Sequence, residues 1–144
     1  LRHVSRRKSE YDIAVIPSGK LLFVHADTHL IVQLLINIIN NAMKYSKIGS
    51  KITIRSELAG DEMVKMEIYD NGPGISDEAK KHIFEMYYTE NRVSSDSSRS
   101  MGLGLAICKS IVELHNGNIE VRDNLPHGTI ISFTLPGKEI ELNE

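Results

Sequence analysis

A single cysteine, Cys108, stands in the 144 residues, so the chain can form no internal disulfide. Its neighbours Leu105, Ala106, Ile107 and Ile111 suit a small apolar side chain packed in a reducing environment. Long apolar runs are missing too. The greasiest stretch, Leu30 to Ile39, is interrupted by Gln33 and Asn37 and falls short of the roughly 18 apolar residues of a membrane-crossing helix. No charge excess is present: 17 Lys and Arg face 19 Asp and Glu, and a net charge of −2 gives no electrostatic reason to expect nucleic acid or an anionic membrane as partner. The basic opening Arg2, Arg6, Arg7, Lys8 is short and reads as a solvated end. The first residues are polar rather than signal-like, and none is an initiating Met, so the expectation is a cytoplasmic piece of a longer protein. What remains is 41% hydrophobic residues, enough for one domain with an ordinary core over residues 1–144.

Apolar periodicity gives the order of elements. Tyr11–Ile16 and Leu21–His25 flank the turn residues Pro17-Ser18-Gly19 and read as a pair of short strands. From Asp27, a helix cap, Leu30, Ile31, Leu34, Leu35, Ile38, Ile39 and Ala42 recur at spacings of three and four, the longest helix. Lys51–Glu57 and the alternating Val64, Met66, Ile68 form an antiparallel hairpin about Ala59-Gly60-Asp61. Ser76 caps a short helix through Ile83, with Asp77 and Glu78 in its first turn. Glu90–Ser100 has Val93 as its one apolar residue and is expected to be a mobile loop. Gly102–His115 is helical, with Leu103, Ile107, Ile111 and Leu114 on one face. Two strands close the chain, Asn118–Arg122 with Ile119 and Val121 inward, and Thr129–Leu135 with Ile131, Phe133 and Leu135 inward. The sum is an α+β two-layer sandwich, a mixed sheet with helices on one face and no internal repeat.

Three stretches carry chemistry beyond packing. Gln33, Asn37, Asn41 and Tyr45 are four apart on the long helix, with Lys44 beside them. A surface helix more often mixes Glu and Lys, although an idle polar face remains the commoner explanation of such a stripe taken alone. An Asn amide oxygen binds Mg²⁺ without adding negative charge beside phosphates, and a lysine neutralises them. Asp70-Asn71-Gly72-Pro73-Gly74 follows a strand. These residues suit any sharp turn, but a carboxylate fixed there also accepts the amino hydrogen of adenine, while guanine offers it a carbonyl. Such a charged hydrogen bond contributes about 1.5–3 kcal/mol, tenfold or more in selectivity. Gly102-Leu103-Gly104 opens a helix where bare amides bind phosphate. It is not a Walker A loop, since Cys108 stands where the glycine before Lys109 belongs, nor a dinucleotide fingerprint, since Ile107 fills the third glycine position.

In this order and separation the three stretches resemble the N, G1 and G2 boxes of the GHKL ATP-binding superfamily. Ile83-Phe84-Glu85-Met86-Tyr87-Tyr88 resembles its F box, with Tyr87 at a usual Phe, and Gly128-Thr129 its closing Gly-Thr. The likeness runs from about Val24 to Pro136 and implies a Bergerat α/β sandwich with a flexible ATP lid at about residues 88–101. It implies ATP and Mg²⁺ as cofactors. Asn41 is then the Mg²⁺ ligand, Asn37 a helper near the phosphates, and Lys44 and Tyr45 contacts to phosphate and nucleotide. Asp70 binds the adenine amino group, with Gly72, Gly74 and Ile75 shaping the pocket. Gly102, Leu103, Gly104 and Leu105 hold phosphates at the helix start, Phe84 anchors the lid, Tyr88 and Thr129 line the nucleotide, and Arg92 and Arg99 reach the γ-phosphate.

Superfamily ATPases of the gyrase, heat-shock chaperone and mismatch-repair types, and the serine kinases, carry a Glu base where this chain has Asn37. An amide is no base near neutral pH, whereas a neutral imidazole is already a nucleophile. Asn41-Ala42-Met43-Lys44-Tyr45-Ser46 and Gly102-Leu103-Gly104-Leu105-Ala106-Ile107 are similar to sensor histidine kinases. The resemblance implies phosphoryl transfer to a histidine on a separate dimerisation domain, then to a response regulator, within a membrane-anchored homodimeric parent; the fragment itself is expected to be a monomer. Phe23-Val24-His25-Ala26-Asp27, with Asn71-Gly72-Pro73-Gly74 and Ala106-Ile107-Cys108, is most similar to potassium-sensing, Kdp-type kinases. Alternatives are a GHKL ATPase or serine kinase, disfavoured by Asn37, and a nucleotide-sensing module without transfer. The last is kept open by Arg99-Ser100-Met101, where the family has glycine, and His115-Asn116-Gly117 likewise departs from His-Gly-Gly. None of the six histidines has a phosphoacceptor setting. His25, His29, His82 and His127 lack metal-ligand spacing, and Met63, Met66 and Met86 read as packing residues.

Overall fold

The side chain of Asp27 accepts the backbone N–H of Leu30 at 3.1 Å, and the helix this cap begins, α1 (Thr28–Tyr45, 18 residues), is the longest among the described residues. Those are residues 11–16, 18–47, 49–60, 62–86, 88 and 104–140 of a computed structural model. The apolar stripe of α1 is buried as expected, Leu34, Ile38, Ile39 and Ala42 fully and Leu30, Ile31 and Leu35 in part, with Met43 joining them. At its other end the Tyr11 hydroxyl, itself buried, donates to the Met43 carbonyl at 2.7 Å. That carbonyl belongs to the last turn, which has no partner inside the helix.

Strands β1 (Asp12–Ile16), β2 (Leu21–Val24), β3 (Lys51–Leu58), β4 (Met63–Asp70), β5 (Ile119–Asp123) and β6 (Thr129–Ile140) make one mixed sheet. The expected hairpin is β3–β4, paired antiparallel from Ile52↔Asp70 to Leu58↔Val64. β6 lies beside β4 on one edge and β5 on the other. The first two strands are where expected but are not partners of each other. β1 runs parallel to β3, whereas β2 pairs antiparallel with the far end of β6, Leu21↔Ile140 to Val24↔Gly137.

The last strand continues five residues beyond Leu135, through Pro136 and Gly137. Pro136 keeps a ladder bond through its carbonyl, which accepts the His25 N–H at 3.0 Å. At Gly137 a β-carbon would lie 2.1 Å from the Phe23 carbonyl oxygen, so glycine is what lets β2 approach.

Ser76 caps α2 (Asp77–Lys80), its hydroxyl accepting the Ala79 N–H at 3.0 Å. The helix is shorter than expected. Beyond Lys80 the chain goes on in three-residue turns, His82 N–H to Ala79 carbonyl and Glu85 N–H to His82 carbonyl. The last helix, α3 (Gly104–Leu114), buries Cys108, Ile111 and Val112; Leu114, expected on that face, is 69% exposed, and Met86, expected to pack, is exposed as well. α1 and α3 pack on each other and on one face of the sheet through β4 and β6, enclosing Ile52, Ile68, Ile131, Phe133 and Leu135. The architecture is the expected two-layer α/β sandwich of the Bergerat type.

Candidate nucleotide site

β4 and β6 end side by side with Asp70 opposite Thr129, and strand alternation puts Asp70 on the same face as Ile68, the face covered by the helices. Asp70 Oδ1 accepts two backbone N–H groups, Gly72 at 2.9 Å and Thr129 at 3.3 Å. Among the described residues Oδ2 accepts none. Burial pushes this carboxyl above the usual aspartate value, and the two backbone bonds oppose that shift without cancelling it. The result is a half-buried carboxyl with one oxygen fixed and the other open to a donor.

The turn after Asp70 is tightly built. Gly72 is buried, Ile75 partly so, and Gly74 has φ +84° with its open side on the Gly128 backbone, 3.4 Å from where a β-carbon would be. The Asn71 side chain accepts the Lys51 N–H at 3.1 Å and so ties the turn to the start of β3.

α1 supplies the second segment. Gln33 and Lys44 are exposed, and Asn37 and Asn41 are half-buried. Across the α1–α3 contact the Cys108 thiol donates weakly to the Leu34 carbonyl at 3.8 Å. Burial drives that thiol up to about 12, although the nearby Asn37 amide favours its ionised form, so Cys108 is a packed, neutral side chain as expected. α3 supplies the third. Among the described residues a β-carbon on Gly104 would meet nothing within 4 Å, and Leu105 packs against the core.

Phe84 packs against the core, and the Tyr88 ring lies 5.4 Å from that of His82. His82 is raised above its ordinary value by Glu85 first and Glu78 second. Asp70, Gly72, Gly74 and Thr129 are brought together directly, whereas no described hydrogen bond joins Asn41 to them. Arg92, Arg99, Gly102, Leu103, the expected mobile loop and the Tyr45 side chain lie outside the described residues. Among the described residues no three His, Cys, Asp or Glu side chains form a metal-binding group, and no helix is long and apolar enough to cross a membrane.

Two residues with no site role in the sequence reading also reach this turn, Asn124 and the histidine His127, noted above only for its lack of metal-ligand spacing. Asn124 Nδ2 donates to the Asp70 carbonyl at 2.8 Å and His127 Nδ1 to the Gly72 carbonyl at 3.0 Å. Their sequence signal is only a polar turn before Gly128.

Residues 26–139 match the family described as histidine kinase-, DNA gyrase B-, and HSP90-like ATPase. The chain belongs to this family. A mycobacterial sensor histidine kinase, MprB, superposes with a TM-score of 0.83 at 29% identity, over 96% of this chain and 90% of that one. The nucleotide-free catalytic domain of histidine kinase ThkA gives 0.77 at 32% identity, over 93% and 84%. The sensor protein KdpD of Clostridium acetobutylicum is 41% identical over 135 residues, 91% of this chain but 15% of that protein. The adaptive-response sensory kinase SasA of Microcystis aeruginosa is 39% identical over 78% of this chain and 29% of its own length. The chain thus spans a minor part of these curated relatives and is an ATP-binding catalytic domain of the histidine-kinase type.

Proposed function

We propose that this domain binds Mg²⁺-ATP and passes the γ-phosphoryl group to a histidine on a separate dimerisation domain of the same kinase, releasing ADP. The observation that carries the reading is Asp70, one oxygen held by two backbone donors and the other open, inside a segment that matches the family. An acceptor so placed suits the amino group of adenine.

The donor set fits magnesium. A half-buried Asn41 amide oxygen and an exposed Lys44 are a neutral ligand and a counter-charge on one helix face. Mg²⁺ commonly takes few protein ligands and keeps phosphate oxygens and waters as the rest. When bound, the ion neutralises charge on the phosphates. Asn41 would hold it and Lys44 would balance the remaining charge, while Gly102 to Gly104, Arg92 and Arg99 would hold the terminal phosphates.

Asn37 stands in the position of the ATPase base, and an amide has no useful basicity near neutral pH, so no proton is removed from there. Positioning and charge neutralisation carry the reaction. The 41% identity to KdpD supports a Kdp-type parent; that the parent is a membrane-anchored homodimer rests on the family resemblance alone. ThkA has been seen in complex with a response regulator, TrrA, which supports the same kind of downstream partner here.

Calorimetric titration with a non-hydrolysable ATP analogue and Mg²⁺, against the GTP analogue and against Asp70→Asn, tests the site. Phosphotransfer to a histidine-bearing helical domain added in trans tests the reaction. A folded sample that binds neither nucleotide at millimolar concentration defeats the proposal.

A further inference from the structure

The turn between β5 and β6 holds the Asp70–Lys80 segment at four points. Asp123 pairs with Lys80 at 2.7 Å, Asn124 Nδ2 donates to the Asp70 carbonyl, His127 Nδ1 donates to the Gly72 carbonyl, and the Gly128 backbone lies against Asp70 and Gly74. The turn is closed on itself by the Asn124 N–H to the Gly128 carbonyl at 3.1 Å.

The contacts alternate in a way that matters for the carboxylate. Asn124 fixes the peptide after Asp70 and His127 the peptide after Gly72. The peptide between them carries the Gly72 N–H that holds Asp70 Oδ1. Two glycines around Pro73 give this turn little stiffness of its own. With the outer peptides pinned, the middle one has a fixed direction, and so has the open oxygen of Asp70.

We propose that Asn124 and His127 are positioning residues of the nucleotide site, which set adenine-over-guanine selectivity by holding the Asp70–Gly72 backbone without touching the nucleotide. This rests on the reading of Asp70 as the adenine acceptor. The carbonyl acceptor requires His127 to carry a proton on Nδ1, which both the matching neutral tautomer and the cation provide.

The test is titration of this chain with ATP and GTP analogues, comparing wild type, Asn124→Ala, His127→Ala, His127→Asn and Asp70→Asn. Each alanine variant is expected to narrow the adenine-over-guanine ratio by about threefold to tenfold, the range that one neutral hydrogen bond supports. Asn124→Ala added to Asp70→Asn is expected to narrow the ratio no further, because both act through one carboxylate. His127→Asn keeps a donor near Nδ1 and restores selectivity. His127 is exposed, so its variants keep the test available should Asn124→Ala fail to fold.

Lowered melting temperature with an unchanged ratio overturns the inference, leaving both residues structural. A wild type that binds nucleotide and loses selectivity only in Asp70→Asn overturns the inference alone. A folded wild type without any binding overturns the reading of Asp70, and the inference with it.

Discussion

Gly128 presses its backbone against the carbonyl oxygen of Asp70: a β-carbon at position 128 would stand 2.1 Å from that oxygen, at a φ of +127°. Gly128→Ala must therefore displace main chain as well as adopt a strained backbone. A loss of more than about 2 kcal/mol is expected, with nucleotide affinity falling further than stability explains. Gly60→Ala is the control. Its φ is +74° but no described residue lies within 4 Å of the added carbon, so only the backbone term of about 1–2 kcal/mol applies. Urea unfolding of both variants checks this, and equal losses would remove the close approach as the cause.

Asp70 has opposite effects on stability and on binding as pH changes. Burial raises its folded-state value above 3.8. The folded chain therefore takes up this proton more readily than the unfolded chain, and the stability it contributes is present below 3.8 and lost as pH rises through the raised value. Binding of an adenine amino group favours the ionised form. The ATP-over-GTP affinity ratio is expected to decline on acidification, beginning above the usual aspartate range, and to be flat in Asp70→Asn. Using the ratio cancels titration of the nucleotide phosphates themselves. A wild-type ratio that is constant down to pH 4 contradicts this assignment.

The elements that the sequence made legible are those whose signal is local. The three-and-four spacing from Leu30 to Ala42, the caps at Asp27 and Ser76 and the β3–β4 alternation each depend on neighbours within a few residues. Pairing is not local. Nothing near Pro17-Ser18-Gly19 says that β1 pairs with β3 and β2 with β6, and Pro136-Gly137 reads as a strand end until Phe23 arrives beside it. The same division holds at the site. Asp70 and its glycines stand out as a motif, whereas Asn124 and His127 act through main-chain carbonyls 54 and 55 positions away, which leaves no pattern in the sequence.

His115 joins the two helices. Its Nε2 accepts the Asp27 backbone N–H at 3.1 Å while Nδ1 donates to the Ile111 carbonyl at 2.7 Å, so the geometry fixes a neutral ring with the proton on Nδ1. Asp27 is the cap of α1, and the ring links that cap to the end of α3. His115→Ala is expected to cost about 1–2 kcal/mol, the sum of two modest hydrogen bonds. His29→Ala, at an exposed position in the first turn of α1, should stay within about 0.5 kcal/mol. Thermal unfolding of the two variants distinguishes them, and equal melting temperatures would show that the link contributes nothing.

Glu67 lies on the sheet face away from the helices, 5% exposed, and meets Arg122, the Tyr69 hydroxyl at 3.1 Å and Lys65 at 3.7 Å. Burial pushes its carboxyl up, but the bonds from Arg122 and Tyr69 with the charge of Lys65 outweigh that, and the group sits below 4.5. A depressed folded value means stability that is present above the unfolded value and is lost as pH falls through the folded one. Glu67→Gln removes the negative charge opposite Arg122. Breaking a fully buried pair costs roughly 3–5 kcal/mol, and with the Arg122 side chain 45% exposed a cost of about 1–3 kcal/mol is expected here near neutral pH. The difference between wild type and variant should then shrink below pH 4.5, as the wild-type carboxylate itself becomes neutral. Urea unfolding at pH 7 and at pH 3 measures both differences, and a gap that stays constant between them would mean that the ion pair is not what Glu67 contributes.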